Sequence, residues 1–157
     1  MYPQANDRPA GFDAPKCMPL HLKGHVTEAE FRNPQDLDTY NKKTLLAVKN
    51  GRTTGTTFGR VNGLESITRD GTSSQPALEF LVCGYDKSRN INFHTFSDDG
   101  DSGSFVVGRD GRLIGQITGG GGPSGSRRDR SYIAPYYALK EALDQKFPGC
   151  HLLDVDA

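Results

Sequence analysis

The sequence predicts an all-β chain of short antiparallel strands, arranged as a barrel or a sandwich and followed by one C-terminal helix. Nineteen glycines and nine prolines in 157 residues favour a turn-rich β chain over a helical bundle. Short apolar or β-branched runs alternate with turn signals, of which Asn50-Gly51 is the strongest. The apolar period becomes helical only near the C-terminus, where spacings of three, four and four residues place on one helix face Tyr136, Leu139, Leu143 and Phe147.

The expected elements follow one another along the chain. Thr27 and Glu30 form the Thr-x-x-Glu pattern of a capping box, which predicts one short helical turn through Phe31. Pro148-Gly149 is expected to end the C-terminal helix. Strands are expected at 44–49, 53–61 with a continuation over 64–68, 77–85, 91–96, 104–107, 113–118 and 131–134.

Composition argues against several classes of partner and location. The 19 basic and 19 acidic residues balance, so neither nucleic acid nor an anionic membrane is indicated as a partner. No stretch is long and apolar enough to span a bilayer, and the first nine residues do not resemble a signal peptide, so a cytoplasmic location is favoured. Three cysteines (Cys17, Cys83 and Cys150) lack metal-ligand spacing. They predict reduced or buried thiols, with a Cys17–Cys150 disulfide as the alternative, and no metal or cofactor is expected.

The most informative stretch surrounds Ser102, which follows Asp101 and lies between two glycines ahead of an apolar strand. Glycines on both sides let the backbone turn sharply and approach a ligand closely. The amides of Gly100 and Ser102 would then point into one small space, as an oxyanion site requires. The simplest alternative is an ordinary Gly/Asp/Ser turn before a strand.

Two other chemical interpretations of this stretch fail on position. A nucleophile elbow has the form G-x-S-x-G, but Ser104 stands where the last glycine belongs. A calcium loop counted from Asp99 needs a glutamate at its twelfth position, where the sequence has Asp110.

The Gly-Asp-Ser-Gly sequence of residues 100–103 is similar to the nucleophile motif of chymotrypsin-like serine proteases. Other stretches resemble the same family in the same order. Residues 48–59 are similar to the first hairpin of the C-terminal barrel in microbial members, 115–120 to the strand lining the primary specificity pocket, and 132–147 to the C-terminal closure. The strongest resemblance is to trypsin-like domains of fungi, in which a segment like Glu30-Phe31-Arg32-Asn33-Pro34 precedes a Gly-Arg-Thr-Thr-Gly hairpin.

This resemblance, which covers about residues 27–150, implies a fold and a division of the chain. The fold is a six-stranded antiparallel Greek-key barrel, one half of a chymotrypsin-like double barrel, with a C-terminal helix. Residues 1–43 would form an extended arm with a short helical turn, 44–150 the barrel and helix, and 151–157 a tail.

The resemblance also implies site roles and a reaction, acyl-enzyme hydrolysis of a peptide or protein substrate. Ser102 would be the nucleophile, the amides of Gly100 and Ser102 the oxyanion donors, and Asp101 the buried carboxylate that braces the loop. Phe96 would lie at the base of the specificity pocket, which favours a small or apolar substrate side chain. The edge strand that hydrogen-bonds the substrate backbone would comprise Thr118, Gly119 and Gly120.

The general base is the part of this chemistry that the sequence does not provide. A serine nucleophile needs a positioned base and an orienting carboxylate, and this family takes both from an N-terminal barrel. The residues ahead of the 51–55 hairpin are too few for such a barrel, and Asp36 and Asp38 are interpreted as solvated loop residues. None of the four histidines is favoured as the base, neither His25 nor His21, His94 or His151.

The chain alone is therefore expected to have little or no amidase activity. The missing N-terminal barrel or a partner chain would have to supply the base. The alternative function is a non-catalytic half-barrel that binds a peptide or pairs with a partner.

Overall fold

The structure, a computed structural model, describes residues 22–38, 41–68, 76–84, 95–121 and 130–152. Two helices and six strands lie in these ranges. In chain order they are α1 (Glu28–Arg32), β1 (Leu45–Gly51), β2 (Gly55–Thr68), β3 (Ala77–Gly84), β4 (Phe105–Gly108), β5 (Leu113–Gly120), β6 (Ser131–Pro135) and α2 (Tyr136–Lys146).

The six strands form a closed antiparallel barrel in the order β1-β2-β3-β6-β5-β4. The strands β1, β2 and β3 pair in sequence, and β4 returns to pair with β1 from Ala47↔Gly108 to Lys49↔Val106. The resulting spatial order, 4-1-2-3, is that of a Greek key. The predicted all-β fold, a six-stranded antiparallel barrel with a C-terminal helix, is confirmed.

Alternating apolar side chains fill the interior of the barrel. The core also includes Phe96, which packs closely against Gly59 of β2. A Cβ atom at Gly59 would lie 2.7 Å from Val82 Cγ1 and 2.8 Å from Phe96 Cδ2, so only glycine fits at this position. Other buried core residues are Leu45, Ala47, Val61, Phe80, Val106, Ile114, Ile117 and Ile133.

The first hairpin differs from its prediction by a few residues. Asn50 and Gly51 continue β1 and pair with Thr56 and Gly55, so the turn falls at 52–54. The Asn-Gly signal is local, whereas the observed turn is held by long-range hydrogen bonds from Thr53 to the loop around Asp101. Beyond the turn, β2 runs without a break to Thr68, with a register shift against β3 between Val61 and Glu65.

One predicted strand is not found where the structure can test it. Residues 91–94 of the expected strand 91–96 lie outside the described residues, and Thr95 and Phe96 do not belong to a strand. Phe96 is completely buried in the core instead, so its apolar character reflects packing inside the barrel rather than strand pairing.

The C-terminal helix is confirmed, but only its first half packs on the barrel. Tyr136 is buried with Val107 and Leu113, and Leu139 packs against this cluster. Leu143 and Phe147, on the same predicted face, are exposed. None of the described helices has the length and apolar character needed to cross a membrane.

The segment ahead of the barrel packs closely against it. The capping box of α1 is present: Glu30 N donates to Thr27 Oγ1, and Thr27 N donates to Glu30 Oε2. The Thr27 amide and hydroxyl, followed by Arg112, lower the pKa of Glu30 to about 2. Phe31 is buried against Phe80 and Tyr137, with ring centroids 4.6 and 5.5 Å away. A domain boundary at 43/44 stays a prediction, but the part of the arm from residue 22 to residue 38 contributes to the core.

Candidate functional site

Two consecutive tight turns shape the loop that carries Ser102. In the first, the Asp101 amide donates to Asp98 O at 3.0 Å; in the second, the Ser104 amide donates to Asp101 O at 3.0 Å. The third position of each turn is a glycine with positive φ, +96° at Gly100 and +86° at Gly103. A positive φ at the third position, together with the negative φ of Asp99 and Ser102 at the second, defines a type II turn, and glycine adopts it without steric cost.

The second turn is bonded directly to β5. The Gly103 amide donates to Ile117 O at 2.8 Å, and the Ile117 amide donates to Ser104 O at 3.0 Å. The Gln116 side chain donates to Gly103 O at 2.9 Å. These bonds fix the loop beside the C-terminal part of β5, and the Ser102 side chain next to it is exposed to solvent.

The Asp101 carboxylate anchors the loop inside the barrel. Its Oδ1 accepts from the Thr53 amide at 2.7 Å, and its Oδ2 accepts from the Thr54 hydroxyl at 2.6 Å and the Asp98 amide at 3.2 Å. Lys49 Nζ lies 2.9 Å from Oδ2, and both charged side chains are completely buried. Burial alone would raise the pKa of Asp101, but hydrogen bonds from Thr54, Lys49 and Thr53 outweigh burial and hold it well below its usual range.

The Lys49 ammonium, like the Asp101 carboxylate, has several hydrogen-bond partners. Its ammonium also donates to the Thr54 hydroxyl and, at 3.0 Å, to Gly55 O. The pair comes close to the backbone of β1, because a Cβ atom on Gly51 would lie 2.4 Å from Asp101 Oδ1. A buried ion pair persists only when its remaining hydrogen-bonding groups are satisfied, and here they are.

The backbone amides on either side of this anchor are the ones predicted to receive an oxyanion. Among the described residues, neither the Gly100 amide nor the Ser102 amide donates a hydrogen bond, whereas the Asp101 amide between them is bonded to Asp98 O. Two available donors beside an exposed hydroxyl are the components that an oxyanion site needs.

Thr118, Gly119 and Gly120, three of the four predicted substrate-binding residues, lie on a strand edge that is partly unpaired within the described residues. Gly119 and Gly120 pair with Tyr132 and Ser131 of β6. On the opposite edge, the described pairing of β5 ends at Ile117, where the Ser102 loop is bonded. The backbone from Thr118 to Gly120 therefore offers an unpaired edge, within the described residues, to an extended peptide.

Phe96, the predicted base of the specificity pocket, lies in the barrel core. Its carbonyl accepts from the Thr57 hydroxyl at 2.6 Å. The adjacent Ser97 hydroxyl lies 2.6 Å from that of Ser131, which is completely buried. A role for Phe96 in a substrate pocket stays a prediction.

The histidines of the described chain are not bonded to Ser102. His25 pairs with Leu113 and lies 5.4 Å from the Tyr136 ring, between centroids. Leu113 and Ile117 are separated along β5 by about 13 Å at ~3.3 Å per residue, so His25 lies far from the loop. His151 follows α2, with its ring beside Gly149 O, and His21 and His94 lie outside the described residues.

The carboxylates ahead of the barrel are in ion pairs. Asp38 is buried and accepts from Arg60 at 2.8 Å and from the Lys42 amide at 2.9 Å, so the prediction that it is solvated is wrong. Its guanidinium partner comes from β2, which local sequence around Asp38 does not reveal. Asp36 pairs with Arg109 at 2.9 Å; burial raises the pKa of Asp36, and Arg109 opposes this effect.

The residues that sequence reasoning missed are those that hold the loop: Lys49, Thr53 and Thr54. One signal was available for Lys49, which occupies an inward position of β1 in strict alternation with Leu45, Ala47 and Gly51. A lysine facing a barrel interior needs a buried anion. The two threonines carry no comparable signal, because turn threonines are common on surfaces.

Other chemistry is not apparent in the described ranges. They contain no group of three or more His, Cys, Asp or Glu residues that could hold a metal ion. Cys83 and Cys150 are free thiols. Cys17, the other member of the alternative Cys17–Cys150 disulfide, lies outside the described residues.

No protein-family model matches the chain, and no curated protein matches it.

Proposed function

We propose that this chain is a serine endopeptidase-like domain in which Ser102 is the nucleophile and the Gly100 and Ser102 amides receive the oxyanion. The observation that carries the proposal is the pair of amides, Gly100 and Ser102, that have no hydrogen-bond acceptor among the described residues and lie on either side of the bonded Asp101 amide. Anchoring of Asp101 by Lys49, Thr53 and Thr54 supports it, because oxyanion donors must be fixed before reaction.

In the proposed reaction, an extended peptide pairs with the open edge of β5 at Thr118–Gly120. Ser102 Oγ attacks the scissile carbonyl carbon while its proton passes to a base, and the carbonyl oxygen becomes an oxyanion facing the two amides. Collapse of this intermediate breaks the C–N bond, and the base returns the proton to the leaving amine. Water then hydrolyses the remaining ester and regenerates the hydroxyl.

In this proposal the barrel provides the nucleophile and the two amides that stabilise the oxyanion, but it does not provide the general base. No hydrogen bond joins the Ser102 hydroxyl to a base within the described residues, so we assign the base to another part of the protein or to a partner chain. The chain alone is accordingly expected to have little or no amidase activity. Labelling of Ser102 by a fluorophosphonate, lost in Ser102→Ala, would contradict this expectation.

A second candidate function is a non-catalytic module that binds a peptide or a partner. An exposed apolar group on β2 and β3 favours it: Leu64, Ile67 and Leu78 are 72%, 75% and 59% exposed. Ile67 and Leu78 face each other across the strand pair. Such a module would bind an extended peptide without any requirement for the Ser102 hydroxyl.

A peptide boronic acid such as acetyl-Ala-Ala-boroAla distinguishes the two functions, because its boron becomes tetrahedral when a nucleophile such as the Ser102 oxygen adds to it and stays trigonal when the peptide only binds. Addition of Ser102 to boron is a reversible equilibrium in which the hydroxyl proton passes to solvent, so it does not require the general base that turnover needs. We expect a tetrahedral ¹¹B signal with the wild-type chain and its loss in Ser102→Ala. Ser104→Ala is the matched control, since its hydroxyl makes no hydrogen bond within the described residues and its backbone bonds remain. We expect this control to form the adduct.

Two results would count against the endopeptidase-like site. Absence of the adduct in a folded wild-type chain would remove the nucleophile and oxyanion assignment. Binding of equal strength by wild type and Ser102→Ala, with boron remaining trigonal, would favour the non-catalytic module.

A further inference from the structure

The Gly100 amide belongs to the central peptide of a turn that has two available orientations. Type I and type II turns differ mainly by rotation of this peptide, which takes φ at the third position from about −90° to about +80°. Gly100 has a φ of +96°, so the peptide between Asp99 and Gly100 is in the type II orientation. Because glycine adopts either sign of φ readily, Gly100 does not by itself fix the direction of its N–H.

The other end of the same peptide is bonded to the barrel. Asp99 O accepts a hydrogen bond from the Thr53 hydroxyl at 2.7 Å. In a planar trans peptide the C=O and N–H bonds point in opposite directions, so holding Asp99 O toward Thr53 turns the Gly100 N–H away from it. Rotation to type I would break this bond and carry the N–H toward Thr53.

Thr53 is well placed to exert this control. Its hydroxyl oxygen lies 2.7 Å from the position that a Cβ atom on Gly100 would occupy, so it is in close contact with the turn. Its own amide donates to Asp101 Oδ1 at 2.7 Å. Loss of the hydroxyl alone would leave that backbone bond and the Lys49–Asp101 pair in place, which separates control of the Gly100 peptide from anchoring of the loop.

We propose that Thr53 is a positioning residue of the oxyanion site, whose hydroxyl holds the Asp99–Gly100 peptide in the orientation that leaves the Gly100 N–H available to the oxyanion. The inference rests on the proposed function, because it assigns that N–H to the site. Thr53 lies in the turn of the first hairpin and does not contact the reacting atoms, so it would act on the oxyanion site only through the Asp99–Gly100 peptide.

The test compares Thr53→Val, which keeps the shape of the side chain, with Thr53→Ser, which restores the hydroxyl. For acetyl-Ala-Ala-boroAla, loss of one hydrogen bond to a charged oxygen predicts binding weakened by about 10- to 100-fold in Thr53→Val. Thr53→Ser should bind close to wild type. Thr44→Val is the matched control, because it removes a similar hydroxyl–carbonyl bond, to Val61 O, at the end of the β1–β2 pairing away from the first hairpin. The affinity of this variant should be unchanged.

A ligand-free measurement tests the orientation of the Asp99–Gly100 peptide without requiring adduct formation. The ¹⁵N chemical shift of Gly100 responds to hydrogen bonding at the preceding carbonyl, so it should move in Thr53→Val and return in Thr53→Ser. Thr53→Ala serves the same purpose if Thr53→Val does not fold.

The outcomes separate the two proposals. Unchanged affinity and an unchanged Gly100 signal in Thr53→Val would overturn the role of Thr53 while leaving Ser102-dependent binding intact. If wild type forms no adduct, the proposed function fails, and an oxyanion role for Thr53 fails with it even if the Gly100 signal moves.

Discussion

Replacement of Lys49 by methionine is expected to lower the free energy of unfolding by about 3–5 kcal/mol, the usual effect of removing one member of a buried ion pair. Lys49 and Asp101 are both completely buried, 2.9 Å apart, and methionine would leave the carboxylate ionised without its counter-ion. Hydrogen bonds from Thr53 and Thr54 would remain, but these groups carry no charge. Urea unfolding followed by circular dichroism gives the measurement.

Lys140→Met provides the control for this substitution. Lys140 pairs with Asp144 on the surface of α2, where solvent screens the charges, and no measurable change in stability is expected. A Lys49→Met variant as stable as wild type would contradict the assignment of the buried pair as the anchor of the loop.

The pH dependence of the free energy of unfolding gives a second measure of how much the Lys49–Asp101 pair stabilises the fold. Since the folded-state pKa of Asp101 lies below its ordinary value, its ionisation contributes stability that is fully present above the unfolded value, about 3.9. This contribution is lost as the pH falls through the folded value. Lys49→Met removes a hydrogen bond that lowers that pKa, so the stability difference between wild type and variant should narrow below about pH 4.

Phe31→Ala is expected to cost about 3–5 kcal/mol, as large-to-small changes of a buried aromatic residue do. Phe31 belongs to α1, ahead of the barrel strands, yet it is only 1% exposed and contacts Phe80 of β3 and Tyr137 of α2. If the segment before the barrel were an independent arm, its truncation would leave barrel stability unchanged. Thermal or urea unfolding of the whole chain distinguishes these outcomes.

Leu37→Ala is the matched control for Phe31→Ala. Leu37 lies in the same segment but is 53% exposed, so its truncation should have a small effect. Similar losses in both variants would indicate a general loosening of the segment and contradict a specific core role for Phe31.

The elements that depend on local pattern could be predicted from the sequence. The Thr27–Glu30 capping box and the helix from Tyr136 are short-range patterns, and both are observed. Alternation and turn signals likewise predicted most strands. The failures arose where distant contacts overrode local preference. The first turn moved from Asn50-Gly51 to residues 52–54, which bond to Asp99 and Asp101. Asp38 is buried and pairs with Arg60 of β2.

The sequence by itself determined the all-β class and the loop around Ser102, because the glycines at 100 and 103 carry the backbone freedom that two type II turns require. Only the tertiary structure decided what holds that loop. Barrel closure brings Lys49, Thr53 and Thr54, about fifty positions earlier in the chain, against Asp101 and Asp99. Such contacts depend on strand register and on the path of the chain between strands, which no local pattern of residue types encodes.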